Sequence, residues 1–169
     1  MLKMDAEYRN TPAVLKDVEA FASLTSGNQK EWFEMLLKSD VVKCVSVAEA
    51  LTDKQLARLK AFCNFKPREC YKNASLVCLY FPEVEYCEGR FMFHGIPIEH
   101  AFNKIGDKYF DVTMELALGA ELPDEYACYK VYKSSKVLDY LAAKRVYGGI
   151  LEDEFRAKVA ANRIVNQAN

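Results

Sequence analysis

The prediction of both the fold and the site starts from one stretch of sequence. It is Ile96–Thr113, I-P-I-E-H-A-F-N-K-I-G-D-K-Y-F-D-V-T. Apolar residues flank Gly106-Asp107 on both sides, and this pattern predicts two strands that are joined by a two-residue turn. In the register that such a turn imposes, Ile105 pairs with Lys108. The stretch is therefore predicted to be a β-hairpin.

This register sets the positions of a histidine and an aspartate. His100 would lie opposite Thr113, so that His100 and Asp111 become diagonal neighbours on one face of the hairpin. Diagonal residues lie roughly 7–8 Å apart at the backbone, a separation that long side chains can bridge. A carboxylate there would bind one imidazole nitrogen and direct the other outward, as in a nucleophile–base–carboxylate triad. The alternative is an ordinary hairpin with a polar pair on its exposed face.

The best candidate for the missing nucleophile is Cys70. Pro67 ends one predicted helix, and the apolar spacing from Arg68 to Phe81 predicts the next. Cys70 then falls in the first turn, where unpaired backbone N–H groups and the helix dipole stabilise a thiolate. The alternative is that Cys70 is a buried and unreactive cysteine at the start of this helix.

Together these residue types predict acyl chemistry. Cys70 would attack a carbonyl carbon, His100 would carry the proton, and Asp111 would fix the imidazole tautomer and stabilise the imidazolium. The developing oxyanion needs hydrogen-bond donors, and the backbone N–H of Cys70 is one of them. The side-chain amides of Asn64 and Asn73 are further candidates, although Asn73 is better placed to support the start of its own helix.

A strand is predicted from Glu83 to Phe93, directly before the hairpin. Gly89 in its middle indicates a β-bulge or a close approach of another backbone. Glu88 beside it is a candidate substrate-binding residue in the cleft, or a residue of the exposed face.

The remaining patterns predict a single α+β domain. Residues 66–133 are expected to form a helix packed against a small antiparallel sheet of three or four strands, roughly Val84 to Val131. Residues 1–65 are expected to form a helical lobe, in which Val41–Val47 is a small strand or a buried linker. Residues 134–169 are expected to form flanking C-terminal helices.

Composition restricts the classes of function. The chain has 169 residues, 51% hydrophobic and 28% charged, which is typical of a globular protein. A net charge of −1 does not favour nucleic acid as a partner. The N-terminus lacks an apolar signal segment and no run of about 18 apolar residues occurs, so we expect a cytoplasmic protein without a membrane partner. The oligomeric state is not predictable.

The six cysteines favour neither a disulfide framework nor a metal site. They form no C-x-x-C pair and have no histidine at zinc-finger spacing, so we expect no metal and no cofactor. A minor alternative is a metal site built from His94, Glu99, His100 and Asp111. Glu99 and His100 are neighbours in a strand and point to opposite faces, which disfavours this alternative.

The hairpin motif resembles a known superfamily. The segment from His100 to Thr113 is similar to the "H-A-W … G-x-W/Y-x-x-D" hairpin of transglutaminase-like proteins, within the papain-like and transglutaminase-like thiol superfamily. The motifs E-C-Y-K-N-A, Y-C-E-G and P-I-E-H-A-F also resemble small uncharacterised bacterial and phage proteins. The resemblance implies a papain-like fold and a catalytic triad of Cys70, His100 and Asp111.

Two functions follow from these observations. The first is a thiol-dependent hydrolase or acyl transferase of the peptidase, amidase, deamidase or transglutaminase type, acting on a protein, peptide or other amide substrate. The second is a non-catalytic protein-binding module or inhibitor on the same scaffold.

Overall fold

A six-stranded mixed sheet lies at the centre of the structure, a computed structural model that describes residues 11–167, with side chains to residue 165. The strands are β1 (Asp40–Val42), β2 (Cys44–Val45), β3 (Glu85–Phe93), β4 (Ile96–Ile105), β5 (Lys108–Phe110) and β6 (Tyr126–Tyr132). They lie in the order β1-β6-β3-β4-β5-β2, in which β2 and β5 are parallel and the other neighbours are antiparallel. The predicted α+β class is confirmed, but the predicted count of three or four strands is wrong because it omits β1 and β2.

Helices both precede and follow the central strands along the chain. They are α1 (Lys16–Leu24), α2 (Gly27–Leu36), α3 (Val47–Ala50), α4 (Asp53–Phe62), α5 (Cys70–Tyr80), α6 (Ser134–Lys144) and α7 (Ile150–Gln167), with a 3-10 turn at Ala13–Leu15 and a π-helical turn at Thr113–Ala117. None of the helices within residues 11–167 has the length and apolar character needed to cross a bilayer.

The segment predicted as a helical lobe is part of the main core. It supplies both β1 and β2, and its buried residues Val47, Leu51 and Leu59 belong to the same cluster as Ala74 of α5. The apolar run Val41–Val47 is too short for its sequence to distinguish a strand from a linker. It contributes to two strands because β1 pairs with β6 at one edge of the sheet and β2 pairs with β5 at the other.

The connection between β1 and β2 forces the sheet to curl. Only Lys43 separates these two strands along the chain, yet they occupy opposite edges of the sheet. Side chains from both edges, Val42 and Cys44, therefore pack on the same apolar cluster. The buried members of this cluster are Cys87, Phe91, Phe102, Met114, Tyr126 and Cys128.

The hairpin register is only partly as predicted. Ile105 pairs with Lys108, which confirms the two-residue turn, but β5 ends at Phe110. The chain then leaves the sheet and enters the π-helical turn at Thr113. The prediction that Thr113 lies opposite His100 is therefore wrong.

Gly89 confirms both features that its position predicts. The register of β3 against β6 shifts between Glu88 and Gly89, which is a β-bulge. A Cβ atom at Gly89 would lie 2.1 Å from the backbone oxygen of Ala127. Any side chain here would collide with backbone of the neighbouring strand, so only glycine fits.

We expect Gly89→Ala to lower the free energy of unfolding by about 3 kcal/mol, because the added methyl group must push two central strands apart. Gly106→Ala is the matched control: its φ of 59° is strained for alanine, but nothing lies within 4 Å of the new Cβ. Its cost should be about 1 kcal/mol. Urea denaturation measures both values, and equal losses would contradict the close approach at Gly89.

Candidate active site

Asp111 is the most extensively hydrogen-bonded side chain of the site, and it is fully buried. Its Oδ2 lies 2.7 Å from Nε2 of His100 and accepts a hydrogen bond from the Tyr126 hydroxyl at 3.0 Å. Its Oδ1 accepts the backbone N–H groups of Thr113 and Met114 at 2.9 and 3.1 Å. One oxygen thus caps the helical turn after β5, and the other binds the imidazole.

His100 is held rigidly by the sheet and by aromatic neighbours. Its side chain is buried, it pairs in β4 with Gly89, and the Phe91 ring meets the imidazole edge to face at 5.0 Å. Because an ionised carboxylate only accepts hydrogen bonds, Nε2 donates to Asp111. The nitrogen that remains for another partner is Nδ1.

The charge state of His100 is set by competing effects. Burial lowers its pKa, while the charge and hydrogen bond of Asp111 and the nearby Cys70 thiol raise it, with a net rise to about 9. The imidazolium is therefore the favoured form at neutral pH. Cys70 is thus near enough to His100 to influence this pKa.

Cys70 is half-buried and is the first residue of α5, as predicted. No side chain caps the first turn of this helix, so no capping side chain occupies its first backbone N–H groups. The preceding Arg68 has a φ of 65°, a left-handed conformation that non-glycine residues seldom adopt. The structure joins His100 and Asp111 directly, and the Cys70 thiol lies near enough to raise the pKa of His100.

The two candidate oxyanion amides have different environments. Asn73 is buried, and its amide nitrogen donates to the Lys66 carbonyl at 2.8 Å and to the Thr113 hydroxyl at 3.0 Å. Its amide oxygen accepts the Lys66 N–H at 3.2 Å. Asn73 therefore braces the start of α5, and its amide is used within the protein. Asn64 is exposed in the segment between α4 and α5.

Glu88 has a structural role. Its carboxylate accepts the backbone N–H groups of Ile150 and Leu151, each at 3.0 Å, and the hydroxyl of Tyr86 at 3.1 Å. Burial raises its pKa, and these hydrogen bonds only partly offset the rise. The carboxylate therefore caps the N-terminus of α7. In return, the N–H groups of α7 supply the hydrogen bonds that a buried carboxylate needs. These bonds account for the buried position of Glu88 without any substrate.

The sequence patterns do not predict two residues of this region. Tyr126 lies in β6 and contacts Asp111, which follows β5. Only the curl of the sheet brings β6 close to the end of β5, so no local sequence pattern predicts this contact. Tyr71, next to Cys70, has its ring against Gly148, where a Cβ would lie 2.2 Å from the ring. The Gly148-Gly149 pair indicated the end of a helix, but not this packing.

The metal-site alternative finds no support in the described part of the chain. No cluster of three or more His, Cys, Asp or Glu side chains within it could hold a metal ion. Glu99 accepts a hydrogen bond from Tyr129 at 3.0 Å, on the face of β4 opposite His100. All six cysteines are free thiols.

Comparisons of the chain with protein-family models, with curated proteins and with solved structures give no match.

We expect the imidazole of His100 to titrate in nuclear magnetic resonance spectra with a pKa of about 9, as the balance of Asp111 and burial requires. Asp111→Asn removes the charge that raises this pKa, so the value should fall to about 6.5 or below. The only other histidine, His94, lies exposed in the β3–β4 turn, and loss of its signal in His94→Asn completes the assignment. A His100 pKa that is the same in Asp111→Asn would contradict the ion pair.

The same pKa predicts how stability depends on pH. The folded-state pKa of His100, about 9, exceeds the unfolded value of about 6.5. Its stabilising contribution is therefore complete below about pH 6.5 and is lost as the pH rises through about 9. The difference in unfolding free energy between the wild type and Asp111→Asn should shrink over this interval. A constant difference would count against this assignment.

Proposed function

We propose that the protein is a thiol-dependent hydrolase or acyl transferase in which Cys70 is the nucleophile, His100 the general acid and base, and Asp111 the orienting carboxylate. The observation that carries the proposal is the buried His100–Asp111 pair. His100 Nε2 lies 2.7 Å from a carboxylate oxygen of the fully buried Asp111, and the Cys70 thiol is near enough to help raise the pKa of the imidazole. The similarity of the hairpin motif to transglutaminase-like proteins supports the same assignment.

In the proposed reaction, Nδ1 of the His100 imidazolium already holds the proton given up by the Cys70 thiol, and the sulfur of Cys70 attacks a carbonyl carbon as a thiolate. The S–C bond forms, and the carbonyl electrons move to the oxygen. When this tetrahedral intermediate collapses, the bond to the leaving nitrogen breaks and His100 gives that nitrogen its proton. Water or an amine then attacks the thioester, loses a proton to His100 and releases Cys70 for another cycle.

The oxyanion would be stabilised from the first turn of α5. Backbone N–H groups at a helix start point away from the helix and carry the positive end of its dipole. The Glu69 side chain, which precedes the helix, forms an ion pair with Lys72 at 3.0 Å and does not cap this turn. The backbone amide of Cys70 is the donor closest to the reacting sulfur. Asn73 supports this turn from below through its bonds to the Lys66 backbone.

The substrate class that fits this chemistry is an amide or another acyl compound, such as a protein or peptide. The outcome, hydrolysis or transfer, depends on whether water or an amine reaches the thioester first.

We expect iodoacetamide at near-neutral pH to alkylate Cys70 much faster than the five other cysteines, because His100 assists removal of the thiol proton. Cys44 and Cys78 should react slowly, because burial raises the pKa of both thiols. Peptide mass spectrometry after timed quenching gives the rate at each site. Fast labelling should be absent in Cys70→Ser and about tenfold or more slower in His100→Ala.

Cys63→Ala is the matched control, because this half-buried thiol ends α4 and its pKa is raised by burial. The variant should keep the fast phase. Uniform slow labelling of all cysteines, or an unchanged Cys70 rate in His100→Ala, would reject the proposed nucleophile and base.

A further inference from the structure

A cavity of about 500 Å³ lies beside the candidate active site but on the other face of the sheet. Glu99 and Arg90 line it, and residues next to each other in a strand point to opposite faces, so the His100 ring does not enter it. Residues of helices α1, α2 and α7 line it as well. Tyr71, the neighbour of Cys70, forms part of its wall. The volume is typical of sites for small organic molecules.

One side of the cavity is apolar and aromatic. The residues there are Val18, Phe21, Trp32, Phe33, Leu36 and Leu151. Phe21 and Phe33 stack with ring centroids 5.4 Å apart, and Trp32 is held edge to face by Phe155 at 5.0 Å. This ordered wall suits an apolar side chain or ring.

The lining also carries polar atoms that lack partners. The Arg90 side chain is only 6% exposed, and an Arg90 Nη donates to Oδ2 of Asp17 at 2.8 Å. Among the described residues, Arg90 Nε and Asp17 Oδ1 are buried without any hydrogen-bond partner. The nearest acid to Nε, Glu99, is 3.7 Å away and beyond hydrogen-bond distance. Buried polar atoms are normally paired, so this donor and this acceptor each lack a partner, which a ligand supplies once the two side chains turn toward the cavity.

The charged residues of the lining determine which sign of ligand charge the cavity favours. Four carboxylates, from Asp17, Glu88, Glu99 and Glu152, face the cavity together with the guanidinium of Arg90. With all five of these groups ionised, their net charge is −3. The site therefore favours a cation and disfavours an anion.

We propose that this cavity binds an amino-acid amide or the amino terminus of a peptide with an apolar side chain. The ammonium group donates to Asp17 Oδ1, the adjacent carbonyl accepts from Arg90 Nε, and the apolar side chain packs between Phe21, Trp32 and Phe33. Such a ligand satisfies both unpaired atoms, supplies the positive charge and fills the aromatic wall. The site does not rest on the reactivity of Cys70.

Four related compounds test the proposal in the wild type and in Cys70→Ala. They are phenylalaninamide, N-acetylphenylalaninamide without the ammonium group, phenethylamine without the carbonyl, and phenylacetate as an anion. Trp32 is the only tryptophan of the chain and lines the cavity, so its fluorescence reports binding directly. Titrations at about pH 6 keep the α-amine protonated.

We expect phenylalaninamide to bind most tightly, and the acetylated compound to bind about tenfold or more weakly, because it cannot donate an ammonium hydrogen bond to Asp17. Phenethylamine should fall between the two, and phenylacetate should not bind. Cys70→Ala should bind like the wild type, which separates this result from the fate of the proposed enzyme. Equal binding of the amide and its acetyl derivative, preference for phenylacetate, or no fluorescence response would overturn the proposal.

Variants locate the contact. Asp17→Asn should weaken phenylalaninamide about tenfold or more. Glu99→Gln, at a side chain that is 57% exposed and tolerant of substitution, should weaken it by a smaller factor. Glu121→Gln, at an exposed carboxylate outside the cavity, should leave the affinity unchanged. Retained affinity in both Asp17→Asn and Glu99→Gln would refute the assigned contacts.

Discussion

A buried carboxylate is the constraint around which this structure is arranged. Asp111 has no exposed surface, and an ionised group in that position is stable only when its oxygens are fully hydrogen-bonded. Two backbone N–H groups, the Tyr126 hydroxyl and the His100 imidazole meet that requirement. The same four bonds end strand β5, begin the π-helical turn, join β6 to the hairpin and fix the histidine. A change at this residue therefore affects the fold and the site together.

The curl of the sheet makes this arrangement possible. Because β1 and β2 follow each other along the chain but lie at opposite edges, the sheet closes around the aromatic cluster that contains Tyr126 and Phe102. The early end of β5 leaves β4 without a partner on that side at His100. The start of α5 approaches there, and Asn73 secures it to Thr113, next to the turn that Asp111 caps. The glycine at position 89 permits the dense strand packing beneath the histidine.

Local patterns predicted the elements that make up the site, while the contacts between distant elements were beyond them. The turn chemistry of Gly106-Asp107 set the Ile105–Lys108 register, and Pro67 placed Cys70 at a helix start. The same register, extended beyond Phe110, puts Thr113 opposite His100, but Asp111 caps the following turn and the strand ends before it. The Asp111 partner of Tyr126 lies 15 residues away and the α7 partners of Glu88 lie more than 60 residues away, and only tertiary packing brings them near.

The most direct test of the central claim is to trap the acyl-enzyme. The protein is mixed with p-nitrophenyl acetate, quenched at short times and examined by intact-mass and peptide mass spectrometry. The account predicts a single acetyl group on Cys70, formed with a burst of nitrophenol, absent in Cys70→Ala and strongly slowed in His100→Ala. Acetyl groups spread over lysines or other cysteines, or formed on Cys70 at an unchanged rate without His100, would contradict it.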